Sequence, residues 1–168
     1  MQRQLTLALS LLATQAAWSA PDPTVATYAA TYRVEYKGKD AGTSEFRVSY
    51  IPADDVYEFT SSTLAKGLLK LARPNPAVDR SRFRLEGNTL RPVDFWHEDG
   101  SRSGEDNVHI AFDWQRRIAT VGTAAGRREM QLPAAALDRG SLQVALMRDL
   151  KVAGQPGRYE LADEDSVT

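Results

Sequence analysis

Apolar residues recur at every second position over most of this chain. In Tyr28–Tyr36, Tyr28, Ala30, Tyr32, Val34 and Tyr36 fall on one face, with Thr31, Arg33 and Glu35 on the other. A period of two is that of a strand buried on one side. Phe46, Val48 and Tyr50 alternate with Glu45, Arg47 and Ser49; Tyr57, Phe59 and Ser61 alternate with Glu58 and Thr60. Turn residues fill Lys37–Asp40 and Pro52–Asp55, where Gly, Pro and Asp favour reversal. Three strands linked by such short turns pair antiparallel by default.

Leu64–Leu71 breaks the alternation and reads as one helical turn or as a loop with buried leucines. Arg73-Pro74-Asn75-Pro76 ends it, because a residue before proline is pushed out of the helical region. Alternation resumes at Ser81, Phe83 and Leu85, turns at Glu86–Thr89, and returns through Leu90–Trp96. A polar loop, Asp99–Asn107, precedes Val108, Ile110, Phe112 and Trp114; strands over Ile118–Val121 and Arg127–Leu132 follow. Then the period changes. Leu142, Ala145, Leu146 and Leu150 recur at helical spacing, with Asp138 placed to cap the start and Gly154 and Pro156 to stop the end. This predicts a helix over Asp138–Ala153 that packs through Leu142, Leu146 and Leu150. A last strand is expected near Arg158–Leu161. The fold class is mainly β: a single curved antiparallel sheet or open barrel of about eight strands with one late α-helix.

The first residues follow a different pattern. Arg3 precedes the apolar run Leu5–Ala17, and Ala17 and Ser19 are the small residues a signal peptidase reads. Residues 1–19 are expected to be a cleavable secretory signal peptide and 20–168 a single antiparallel β domain in the periplasm. The chain has no cysteine and a formal net charge of −1. Absence of cysteine excludes a disulfide framework, a thiolate metal site and a cysteine nucleophile. Near-neutral charge with scattered basic pairs argues against nucleic acid. The mature chain has no second apolar run long enough for stable membrane insertion.

Candidate chemistry is sparse. His97 lies beside Glu98 and Asp99, but adjacent strand residues point to opposite faces and cannot readily chelate one ion. His109 sits on the polar side of its strand and reads as a solvated histidine. The serines lack a nucleophile elbow, and the paired carboxylates fall in turns or in the tail. No catalytic residue, metal ligand or cofactor is assigned. The aromatic residues remain. Tyr32, Tyr36, Tyr50, Tyr57, Trp96 and Trp114 are the candidate binding residues, since each ring offers an apolar body, with a polar handle in Tyr and Trp. Ordinary core packing explains the same residues, and the two readings differ in whether a concave pocket exists.

The order of features resembles a known family. It comprises Tyr28-Ala29-Ala30-Thr31-Tyr32-Arg33-Val34-Glu35-Tyr36, a turn at Gly38, a strand carrying Gly42, and Gly67-Leu68. It continues with Ser81-x-Phe83-x-Leu85-x-Gly87-x-x-Leu90-x-Pro92-x-x-Phe95, then Asp138-x-x-Ser141 and Arg148-Asp149-Leu150. This is similar to the bacterial exported family catalogued as domain of unknown function 3108. The resemblance implies an all-β periplasmic domain and carries over no catalytic residue. Family members continue for several strands beyond the helix, so the chain is expected to be a truncated form. The functional expectation is a non-enzymatic binding or envelope-assembly domain for an apolar or amphiphilic ligand. A lipid, glycan or peptide, or an envelope protein partner, would occupy it, and the curved-sheet lipoprotein carriers of the periplasm are the architectural analogy. The alternative is a hydrolase acting on envelope glycan or lipid, with Asp94, His97 and Glu98 as its cluster. A third reading is assembly by strand addition to a partner.

Overall fold

The computed structural model describes residues 20–167. The expected signal peptide, 1–19, lies outside the described residues. Eight strands pair in the order in which they occur: β1 (Tyr28–Tyr36), β2 (Lys39–Ile51), β3 (Val56–Ala65), β4 (Ala77–Glu86), β5 (Thr89–Glu98), β6 (Val108–Asp113), β7 (Ile118–Thr123) and β8 (Gly126–Gln131). Every neighbouring pair is antiparallel. β1 and β8 are the two edges, so the sheet is open rather than a closed barrel. This mainly β architecture is the one the alternation predicts.

The parity of each strand carries through the register. Val48, Phe59, Ser81, Phe95, Ile110 and Val121 stand opposite one another in a single row across β2–β7. All six are buried. Tyr28, Tyr32, Phe46, Tyr50 and Phe59 point to this same face, with Tyr32 exposed at the β1 edge, while Tyr36 lies beyond an irregularity after Val34 and is also exposed. Each fully buried large apolar side chain in such a row contributes about 1.5–3 kcal/mol of transfer free energy, which substitutes for absent disulfides.

Ser81 is the one polar residue in the row, and the helix explains it. α2 (Arg139–Ala153) lies over β3, β4 and β5. Asp138 caps it: the carboxylate accepts from the Gly140 N–H at 2.8 Å and the Ser141 N–H at 2.9 Å, and Ser141 Oγ accepts from the Asp138 N–H at 2.9 Å. Ser81 Oγ donates to the other Asp138 oxygen at 2.8 Å. A Cβ on Gly140 would come within 2.5 Å of Ser81 Cβ and 2.7 Å of Phe59 Cδ1. Two small residues, one on each side, let the helix start touch the sheet.

That contact sets which side of the helix is buried. Gly140, Ser141, Val144 and Ala145 face inward, whereas Leu142 is half-buried and Leu146 and Leu150 are 37% and 48% exposed. The expected leucine stripe is therefore not the packing face. Its spacing is helical, but the buried cap fixes the rotation of α2 so that its smaller residues meet the sheet. The caps are as expected, with Gly154 ending the helix at φ 72°. The Leu64–Leu71 segment contains a single helical turn, α1 (Leu69–Ala72), and its leucines are exposed rather than buried.

A second core covers β5–β8. Phe95, Val108, Ile110, Ala119 and Val121 pack with Leu132, Ala136 and Ala162. The last two belong to a strap along the covered face, in which β9 (Ala136–Leu137) pairs in parallel with β10 (Glu160–Leu161) and Ala162 N–H donates to Leu137 O at 2.8 Å. The expected last strand is this short β10. It joins the strap, not the main sheet.

Candidate functional site

Several polar groups of the covered face bond to one another. Burial pushes the Asp138 carboxyl up to about 6, against the downward pull of its hydrogen bonds from Ser141, Ser81 and Gly140. Next along the face, His97 Nδ1 lies 2.6 Å from Asp79 Oδ1; the two residues are register partners on β5 and β4. Arg139 lies 3.5 Å from Asp163 and 3.4 Å from Glu164, which ties α2 to the C-terminal strap. Hydrogen bonds and ion pairs of this kind lock elements together.

The outer face of β5–β7 differs. Residues of opposite parity to the core form a row, Arg80–Trp96–His109–Gly122–Arg127, across β4–β8. The Trp96 and His109 rings stack with centroids 4.8 Å apart and planes 9° apart. The Arg80 guanidinium lies over Trp96 at 5.0 Å from its centroid. Cation and stacked ring thus hold the indole from neighbouring strands, a geometry favoured by the quadrupole of the aromatic face. Gly122 then interrupts the row. It carries no side chain between His109 and Arg127, and a Cβ there would meet nothing closer than 3.7 Å.

That interruption is the floor of a cleft of about 540 Å³. Ala111 and Thr120 of β6 and β7 line it, with His97 and Glu98 at the end of β5, Gly104 and Asn107 of the β5–β6 loop, and Arg127. The loop is a built wall. Asp99 Oδ1 accepts from the Ser101 N–H at 2.9 Å, its own N–H donates to Asn107 Oδ1 at 3.0 Å, and the Asn75 N–H donates to Gly100 O at 3.1 Å. The volume falls in the range of small-molecule sites. Burial, with the positive charge of Arg127 beside it, pulls the His109 imidazole below the ordinary histidine range. The ring is therefore neutral at pH 7 and presents an apolar, polarisable surface. At the margin, Asp94 stands opposite Ala111. Burial pushes its carboxyl up to about 6 despite Arg82 and Arg80 nearby.

The six aromatic candidates do not converge. Tyr32 meets Phe46 edge-on at 5.6 Å on the β1 side of the covered face, and Tyr36 is at the far end of β1. Tyr50 and Tyr57 adjoin at 5.0 Å; both border a second cleft, next to residues 20–23, with Tyr57 itself in the core. Trp114 stacks on Phe112 at 6.1 Å and donates to Pro92 O at 2.7 Å, with Arg91 over its ring. Trp96 alone lies in the outer cleft. The Asp94, His97 and Glu98 set is also split: His97 and Glu98 border the outer cleft, but His97 Nδ1 is bonded to Asp79, and Asp94 is not among the residues that line the cleft. Among the described residues no three His, Asp or Glu side chains stand where they could hold a metal ion.

His109, Gly122 and Arg127 border the cleft; the sequence pattern presents His109 as a solvated histidine and Arg127 as part of a scattered basic pair, and does not single out Gly122. The available signal was an aromatic residue on the polar side of two successive strands, Trp96 and His109. What it lacked was the register that sets them side by side.

No curated protein and no solved structure matches this chain. A family model described as "Protein of unknown function (DUF3108)" matches residues 31–167, which spans β1 through the C-terminal strap. By that match over most of its length, the chain belongs to the family of proteins of unknown function DUF3108.

Proposed function

We propose that the protein is a non-enzymatic binding domain of the cell envelope, and that its ligand is an amphiphile carrying an anionic group. The observation that carries this reading is the interrupted stack on the outer face. Trp96 and neutral His109 form an apolar platform, Gly122 leaves the next position empty, and Arg127 stands beyond it. A flat or aliphatic group fits over His109 and Gly122. An anionic group reaches Arg127, which holds oxygen anions through several N–H donors. Binding needs only such a shaped surface with a few polar handles.

The hydrolase alternative has less support. It needs an acid, a base and a nucleophile within hydrogen-bond reach of one reacting atom, and the His97 ring and the Asp94 carboxyl lie on opposite faces of β5. Placement in the envelope rests on the apolar run Leu5–Ala17 behind Arg3 and on the family resemblance.

Titration of residues 20–168, which lack Trp18, with dodecyl phosphate, followed by the fluorescence of Trp96 in a Trp114→Phe background, tests the reading. Saturable quenching is expected, weakened at least about tenfold by Arg127→Ala, since a charged hydrogen bond contributes roughly 1.5–3 kcal/mol. Absence of saturable binding, or equal affinity in the Arg127→Ala variant, contradicts it.

A further inference from the structure

A different part of the molecule carries a second interaction surface. At one end of the sheet, the β1–β2 turn and the segment joining β3 to β4 lie together. The Lys66 N–H donates to Ala41 O at 2.9 Å, and Lys66 Nζ pairs with Asp40 at 3.0 Å. The far end of the segment is fastened too, by Arg73 beside Asp99 at 3.7 Å. Between these ties the chain makes the single turn α1. None of its residues is buried, and Leu68 and Leu71 are 84% and 74% exposed. Held at both ends, the leucines project from the sheet instead of folding onto it.

The charge at this end is unusual for the chain. Four of its five lysines, Lys37, Lys39, Lys66 and Lys70, sit in these two segments, although the whole sequence has a net charge of −1. Among the described residues, Lys39 and Lys70 have no carboxylate within ion-pair distance. Tyr36 is exposed beside them, with the Lys37 ammonium 5.3 Å from its ring centroid.

We propose that this end docks on an anionic phospholipid surface, with Leu68, Leu69 and Leu71 entering the interface and the lysines meeting the headgroups. The combination decides the occupant. Cores of protein–protein interfaces are depleted in lysine, whereas lysine stems lie along apolar surface and keep the ammonium in water at a lipid interface. An exposed apolar patch ringed by lysine gains from both acyl-chain burial and attraction to anionic lipid. No helix among the described residues is long and apolar enough to cross a membrane, and α1 is a single turn, so the contact is peripheral. It stands apart from the cleft reading, because it shares none of the residues of the Trp96–His109 stack.

Flotation of the purified protein with phosphatidylcholine vesicles, with and without roughly one-third phosphatidylglycerol, tests the proposal. We expect binding to the anionic vesicles, at least about tenfold weaker partitioning to phosphatidylcholine alone, and loss in high salt. Leu68→Ser combined with Leu71→Ser should lower partitioning by a further factor of about ten, while the melting temperature and dodecyl phosphate affinity stay unchanged. Both positions are exposed, so the variant should fold. Equal partitioning to the two vesicle types overturns the proposal, as does unchanged partitioning of the double variant. A self-association without vesicles that the double variant abolishes assigns the patch to a second copy and also overturns it. Loss of dodecyl phosphate binding in Gly122→Leu with vesicle binding retained separates this surface from the cleft.

Discussion

The two sides of the sheet at β4–β7 each involve a glycine, Gly140 of α2 on the covered side and Gly122 of β7 on the outer one, with polar side chains and aromatic rings beside it, yet they are opposite in kind. On the covered face, Gly140 stands where a Cβ would collide with Ser81 at 2.5 Å, and Asp138 bonds to Gly140, Ser141 and Ser81. On the outer face, a Cβ on Gly122 would meet its nearest neighbour at 3.7 Å, and the stacked rings border open space. One glycine is required because two elements touch. The other leaves a place unfilled. A polar group that is buried and fully bonded is explained by the fold; an ordered stack beside a vacancy is better explained by something that enters it.

The largest effect that could break this comparison is expected at Asp138. Asp138→Ala removes a helix cap and leaves Ser81 and two backbone N–H groups without their partner. The cost should be about 3 kcal/mol, from cap loss and unsatisfied buried donors together. Chemical denaturation at pH 5 measures it. A loss under about half a kcal/mol, which is typical of a surface change, would show that the covered face is not held by this lock.

The pH dependence of the same group gives the next effect. Burial raises the folded-state carboxyl to about 6, above the unfolded value. The stabilisation from the neutral form is therefore fully present below the unfolded value near 4 and is lost as pH rises through about 6. Relative to Asp138→Asn, which does not ionise, the wild type should lose on the order of 2 kcal/mol between pH 4 and pH 7. Denaturation curves for the pair across that window sharpen the comparison. A constant difference would mean that its hydrogen bonds cancel the effect of burial, and a gain in wild-type stability with rising pH would mean that they outweigh it.

The smallest effect is expected at Leu146. It is 37% exposed, so Leu146→Ala should change stability by less than about 0.5 kcal/mol. A cost of 2–5 kcal/mol, typical of a core leucine, would mean that the leucine stripe is the packing face after all.

These residues also show what the sequence makes legible. Strand parity is visible because it is local: Tyr28, Phe46 and Phe59 declare their face within their own strands. Helix ends are equally local, and Asp138 and Gly154 mark them. The buried side of α2 is not local. It depends on Ser81 meeting Gly140, which only the register of β4 against its neighbours and the path of the strap create. The cleft is hidden for the same reason. Trp96 and His109 are separated by the Asp99–Asn107 loop, and no rule of spacing says that they stack. The tyrosines mislead in the other direction: their parity is right, but whether a ring is core or open depends on where α2 and residues 20–23 lie.

The central claim is that the covered face supplies stability and the outer face supplies binding. Gly122→Leu tests it most directly, because a Cβ there meets nothing closer than 3.7 Å and the rest of the side chain would enter the slot between His109 and Arg127. Dodecyl phosphate affinity and the melting temperature should be measured together on this variant. The account requires affinity to fall at least about tenfold with the melting temperature within a few degrees of the wild type. Undiminished affinity in a folded Gly122→Leu protein would contradict it.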